Sequence, residues 1–244
     1  MTDQTHICSV QYDFSQIVLH PQWYIRLLPA IQTFILDYHN KLHKFKHTKE
    51  LELFRQERIK FITLVSENLQ YIKQNFTAEQ EYIFDTERKP IDTIVIHHSS
   101  LPPTMDLRYL ETIHLLNLYV RDFINRESQY YGRSIFSGHV DKKMQTFFAY
   151  HYIIFTDGTY RQTLKDKYIG WHCGDWDYNC SSIAICFHDD LENKLPTQKA
   201  LHTAYKIIRK YNVKNILGHR EIKPSTTCPG NKFLGPDGWK QYLL

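Results

Sequence analysis

Three residues of this sequence stand where a metal site is normally built. His97, with His98 beside it, closes the short apolar run Ile91 to Ile96; His219 follows a second run, Asn215 to Leu217, through Gly218; Cys228 lies in the loop Lys223-Pro-Ser-Thr-Thr-Cys-Pro-Gly. Strand ends and the loops beyond them hold side chains rigidly and leave room for a substrate. Two neutral imidazoles and one thiolate give a zinc ion three protein ligands with its fourth tetrahedral position open, as catalytic rather than structural zinc requires. With a single thiolate the ion keeps net positive charge, which lowers the pKa of a water and polarises a carbonyl. Residue type alone leaves the bland alternative open, because histidines commonly end strands and a lone cysteine before proline is more often inert.

The elements that must position these residues follow from periodicity. From Lys89-Pro90 onward the pattern is that of an α/β fold. Ile91 to Ile96 and Ser182 to Phe187 are short buried-strand runs, and Asp106 is placed to cap a helix through Leu107, Leu110 and Leu118 toward Arg126. Residues 127 to 143 are polar and carry Gly132 and Gly138, so they predict a loop. Ala149 to Phe155 and Thr159 to Leu164 flank Asp157-Gly158, a hairpin signal because the turn needs positive φ. Thr197 caps a helix to about Lys210, and Asn215 to Leu217 is a last strand. Strands with helices between and after them predict one central mixed sheet flanked by helices.

Residues 1 to 88 differ. Leu27, Leu28, Ile31, Phe34, Ile35, Tyr38, Leu42 and Phe45 recur at helical spacing, and after a polar break near Thr48 the pattern resumes with Leu51, Phe54, Phe61, Val65, Leu69 and Ile72. This predicts an N-terminal helical hairpin, with one longer bent helix as the alternative, and a division into a helical extension (1–88) and an α/β domain (89–244). His39, His43 and His47 form one helical stripe, but the interleaved Lys41, Lys44, Lys46 and Lys49 would repel a cation, so the stripe reads as a solvated basic face.

Composition narrows the function classes. The chain has 244 residues, 42% hydrophobic and 23% charged, which is ordinary globular usage. No apolar stretch approaches the roughly 20 residues that span a bilayer. The opening residues MTDQTHICSV lack a basic start, a sustained apolar run and a small-residue cleavage site, so a cytoplasmic protein is expected, acting on cell wall only after release. A net charge of +4 without a dominant Lys/Arg block argues against a nucleic-acid partner and against a metal nuclease built on His97, His98 and His219. Five cysteines, an odd and irregularly spaced number, argue against a disulfide framework.

Five blocks in order, IVIHHSS, AYHYIIFTDGTYRQ, IGWHCG, NCSSIAICF and ILGHREIKPSTTCPG, resemble the zinc-dependent N-acetylmuramoyl-L-alanine amidases, a fold shared by phage amidases, peptidoglycan recognition proteins and muropeptide-recycling amidases. The resemblance covers about residues 91 to 240. It implies zinc as cofactor, His97, His219 and Cys228 as its ligands, and peptidoglycan or muropeptide as substrate. It further implies that Tyr150 reaches the attacking water, that Thr226 donates to the oxyanion where phage and recycling enzymes carry lysine, and that His172 contacts substrate; Trp171 and Trp176 are expected to line the substrate groove because aromatic faces stack on sugar rings and peptide stems. Only one of His97 and His98 can face the metal, since alternate strand residues point to opposite sides, and the family points to His97. The recycling branch carries glutamate at the position of Cys186 and aspartate at that of Cys228, whereas Ser100-Leu-Pro-Pro resembles that same branch. The alternative within the family is a module that binds peptidoglycan without cutting it; such modules usually replace the cysteine that this chain retains.

Overall fold

Seven strands are found among the described residues: β1 Thr93–His98, β2 Val140–Asp141, β3 Met144–Gln145, β4 Tyr152–Ile154, β5 Tyr160–Gln162, β6 Ser182–Phe187 and β7 Asn215–Gly218. The computed structural model describes residues 23–45, 48–74, 84–128, 131–132 and 137–244. The chain divides into two compact units, one of Met1–Glu79 with Glu111–Phe147 and one of Gln80–Leu110 with Phe148–Leu244.

The second unit carries a five-stranded mixed sheet in the order β5-β4-β6-β1-β7. β4, β6, β1 and β7 are parallel, and β5 returns antiparallel to β4 at one edge. The return is made at Asp157-Gly158, where Gly158 has φ +88° and Asp157 Oδ1 accepts from the Thr159 N–H at 2.9 Å. Every residue of β1 and β6 is buried, because parallel strands are covered on both faces. On one face Ile94, Ile96, Ile183, Ile185 and Phe187 join Ala200, Leu201, Ala204, Ile207 and Ile208 of the helix Gln198–Ile208. Thr197 starts that helix, its Oγ1 accepting from the Ala200 N–H at 3.2 Å. Each large aliphatic side chain buried there contributes roughly 1.5–3 kcal/mol. On the other face Ile153 and Cys186 pack with Leu110, Phe148 and Leu164. Alternation along β1 sends His98 to the side of Ile94 and Ile96, and His97 to the opposite side.

The first unit is helical. Trp23–Arg26, Leu28–Ile31, a π-helical stretch Gln32–Leu36 and Tyr38–Lys44 make one arm; Thr48–Glu67 and Leu69–Gln74 make the other. The first arm stops at Phe45, whose ψ of 95° is extended. Phe34 stacks on Phe61 at 5.6 Å and Tyr38 on Phe54 at 6.0 Å, while Arg58 Nε donates to the Phe34 carbonyl at 2.9 Å. Phe34 and Tyr38 of one arm thus meet Phe61 and Phe54 of the other in opposite order, a helical hairpin rather than one bent helix. His39 and His43 are exposed; His47 lies outside the described residues.

The boundary expected at residue 88 does not by itself separate the two units. Residues 111–147 group with the N-terminal helices, and one reason is visible in a buried carboxylate. Glu111, 3% exposed, lies 2.8 Å from Lys73 Nζ and accepts from the Phe147 N–H at 3.0 Å. Breaking such a pair leaves an uncompensated buried charge. The expected loop 127–143 contains β2 and a Lys142-Lys143 turn with φ of 47° and 66°, pairing with β3; residues 129–130 and 133–136 lie outside the described ones. The helix opened by Asp106 runs as Leu107–His114, a π-helical Leu115–Val120 and Arg121–Ile124, with Asp106 Oδ1 accepting from the Arg108 N–H at 2.8 Å. Among the described residues no helix is long and apolar enough to cross a membrane.

Candidate metal centre

Neighbouring parallel strands bring the two histidines to one edge of the sheet. Ile96 of β1 lies opposite Gly218 of β7, so the next residues, His97 and His219, sit together at the carboxyl ends of their strands, where open α/β sheets place their sites. Gly218 is required there because a Cβ would run into the ring of Phe233 and Cδ of Pro229. Its N–H donates to Glu221 Oε2 at 2.8 Å, fixing the start of the short helix His219–Ile222. The chain then folds back. The Arg220 N–H donates to the Cys228 carbonyl at 2.8 Å, and the Cys228 N–H donates to Thr226 Oγ1 at 3.2 Å.

As a result, His97, His219 and Cys228 each offer one ligand atom, and these atoms all lie within 4.8 Å of one another. Cys228 Sγ is 3.7 Å from His97 Nδ1, and the imidazole centroids of His97 and His219 are 4.8 Å apart. His219 Nε2 donates to the Cys173 carbonyl at 3.1 Å, which leaves Nδ1 as the nitrogen available to a metal. Two nitrogens and one sulfur suit zinc and not magnesium or calcium, which take oxygen donors. The donor set therefore fits the ion that the sequence implies.

Burial disfavours charge on Cys228 and on His219. It pushes the Cys228 thiol up to about 12. It also holds His219 down to about 4, with the nearby Lys223 cation acting in the same direction against the hydrogen bond to Cys173. The Tyr150 phenol is raised well above its ordinary value, first by burial, so it stays protonated at neutral pH. Its ring centroid is 4.9 Å from that of His97.

Of the other expected residues, Thr226 stands beside the cysteine, its oxygen accepting from the Cys228 amide while its own proton remains to be donated. His172 is 7% exposed, with Nδ1 3.0 Å from His97 Nε2 and Nε2 3.0 Å from Ser182 Oγ. Trp171 and Trp176 meet edge to face at 5.9 Å and both pack on Phe84; the Trp176 indole N–H donates to Glu87 Oε2 at 2.6 Å. Both are partly exposed. His98 is turned away from the cluster: its Nδ1 accepts from the Leu191 N–H at 2.9 Å and its Nε2 is 3.0 Å from Ser100 Oγ. Cys173, Cys180 and Cys186 are free and buried; Cys8 lies outside the described residues. Sequence reasoning missed Asn179, Ser182 and the Cys173 carbonyl. The first two carry no signal beyond being small polar residues near an apolar run, and a backbone carbonyl carries none.

Residues 87–231 match the family model for N-acetylmuramoyl-L-alanine amidase. No curated protein matches the chain. Among solved structures it is similar to the endolysin N-acetylmuramoyl-L-alanine amidase LysCS from Clostridium intestinale URNW, at 19% identity over 64% of this chain and 84% of that one, with TM-score 0.44. Wild-type Drosophila PGRP-LB is similar at 23% identity over 62% of this chain and 84% of that one, with TM-score 0.41. The Ph2119 endolysin from Thermus scotoductus MAT2119 bacteriophage Ph2119 is similar at 20% identity over 67% and 89%, with TM-score 0.43.

Proposed function

The chain belongs to the N-acetylmuramoyl-L-alanine amidase family, and on that premise we propose that it is a zinc-dependent hydrolase. It cleaves the amide between the lactyl group of N-acetylmuramic acid and the L-alanine of the stem peptide. The observation that carries this reading is the convergence of His97, His219 and Cys228 within 4.8 Å, with the cysteine retained rather than replaced. Zinc, when bound, supplies the positive charge that brings the pKa of a water toward neutrality and polarises the amide carbonyl.

The chain's own residues do the rest. Tyr150, kept protonated by burial, orients the attacking water through its hydroxyl and shares a proton on its way to the leaving amine. Thr226 donates its remaining proton to the developing oxyanion; being neutral, it adds no charge there. Water adds across the C–N bond, leaving a carboxylate on the lactyl group and a free amine on alanine. Trp171 and Trp176 line the substrate groove, where aromatic faces meet sugar rings and peptide stem. The N-terminal helices are a structural extension of the amidase domain.

The test is metal analysis of the purified protein, followed by digestion of sacculi and of soluble muropeptide with mass analysis of the products. Bound zinc and release of peptides with a free N-terminal L-alanine are expected, and the better-cleaved material identifies the substrate as wall or released fragment. A protein that binds muropeptide, holds no zinc and frees no amine is a recognition module, and the reading is then wrong.

A further inference from the structure

Both metal histidines are held from behind by two consecutive residues. His97 Nε2 meets the ring of His172 at 3.0 Å, and His219 Nε2 meets the carbonyl of Cys173 at 3.1 Å. Those two residues are themselves pinned by one side chain: Asn179 Oδ1, 6% exposed, lies 3.2 Å from the His172 amide and 3.1 Å from the Cys173 amide, and accepts from both. The Cys173 thiol donates to the same oxygen at 3.0 Å.

The proton positions in this network follow from its far end. A carbonyl oxygen only accepts, so Ser182 Oγ, 2.6 Å from the Tyr178 carbonyl, donates its single proton there. Ser182 can then only accept from His172, which places the His172 proton on Nε2. His172 Nδ1 is left bare, and at 3.0 Å it can only accept, so His97 carries its proton on Nε2 and presents Nδ1 as a lone pair toward Cys228 Sγ. The same logic at the Cys173 carbonyl puts the His219 proton on Nε2. With neutral imidazoles these hydrogen bonds are satisfied in only this arrangement, and it leaves His97 Nδ1 as a lone pair toward the thiol and His219 Nδ1 as a lone pair.

We propose that the dipeptide His172-Cys173, locked by Asn179 and Ser182, is a positioning device that sets the tautomer and ring orientation of both metal histidines before the metal arrives. His172 thus acts through His97 rather than by touching substrate or carrying the proton, both of its ring nitrogens being committed inside the protein. Outer partners of this kind typically change metal affinity about 10- to 100-fold when removed. The proposal rests on the zinc reading above for its purpose, but its tautomers are a property of the metal-free chain.

The experiment uses the full chain with histidine side chains labelled with nitrogen-15. In metal-free wild type, His97 and His219 are expected as single tautomers protonated on Nε2. His172→Leu, which removes the acceptor, is expected to mix the His97 tautomers, leave those of His219 unchanged, and weaken zinc about 10- to 100-fold in a chelator competition. His172→Asn, whose Oδ1 replaces the Nδ1 acceptor, is expected to recover both. Wild-type histidines protonated on Nδ1, or His172→Leu with unchanged His97 signals and zinc affinity, overturn the proposal. If His172→Leu does not fold, the wild-type spectrum and the Asn variant still decide. A wild type with the expected tautomers that binds no zinc overturns the zinc reading instead, so the two failures are told apart.

Discussion

Zinc loading should depend steeply on pH, and the slope is set by one residue. Burial places the Cys228 thiol at about 12 and His219 at about 4. Between those values the thiol is the group that must lose a proton for its sulfur to become a ligand, while His219 is already neutral. Neutral pH lies far below the thiol's midpoint, so thiolate is rare in the metal-free protein and deprotonation offsets on the order of several kcal/mol of intrinsic zinc–thiolate affinity. The thiol is therefore expected to add about a factor of ten per pH unit to the rise of wild-type apparent affinity from roughly pH 6 to 8, releasing one proton per zinc beside any lost by a bound water. Chelator competition across that range gives the slope, and calorimetry in two buffers of different ionisation enthalpy gives the proton count. In Cys228→Asp the ligand is already ionised in this window, so the slope is expected to fall by about one power of ten per pH unit relative to wild type. A flat wild-type profile, or an aspartate variant as steep as the wild type, refutes this reasoning, because either result means that Cys228 is not the proton-bearing ligand.

Other outcomes follow from the same geometry. Tyr150→Phe should keep zinc and the fold but lose about 10²- to 10⁴-fold in kcat, read by release of amine from muropeptide; an undiminished rate removes Tyr150 from the chemistry. Thr226→Val should cost about 10²- to 10³-fold in kcat, with Thr226→Ser close to wild type; equal rates in all three exclude an oxyanion donor at this position. Gly170→Ala should destabilise by about 3 kcal/mol or more in denaturant melts, since a Cβ would collide with the Ala149 carbonyl oxygen and crowd the rings of His151 and His172 at 3.1 Å; a melt within error of wild type contradicts that packing. Acid should weaken the metal-free protein. His114 and His219 are held down by burial to about 3 and about 4, so the unfolded chain binds more protons than the folded one below about pH 6.5. Denaturant midpoints should fall as pH drops from about 6.5 toward 4, and constant midpoints across that range would contradict the burial of these rings.

Much of the fold was legible in residue order. β6 coincides with the run Ser182–Phe187, the Thr197 cap is where the pattern placed it, and the Asp157-Gly158 turn joins β4 to β5. These are local effects: a buried parallel strand needs apolar residues throughout, a helix end needs an acceptor, and a turn needs positive φ. The grouping of 111–147 with the N-terminal helices was not legible. It depends on Lys73 meeting Glu111 across 38 positions of sequence, and the periodicity of a segment does not identify its partner.

By itself the sequence named His97, His219 and Cys228 as candidate ligands, because residue type and placement at strand ends are local properties, and the resemblance carried by five ordered blocks made that choice specific. Strand alternation also showed that only one of His97 and His98 can face the site, and the resemblance pointed to His97. Only the tertiary structure decided how those donors are aimed. The register of Ile96 with Gly218 sets one histidine beside the other, and which ring nitrogen each presents depends on where its second nitrogen finds a partner. Those partners, a ring and a carbonyl at 172 and 173, lie far from both histidines in sequence. Hydrogen-bond direction is fixed in space, and residue order does not carry it.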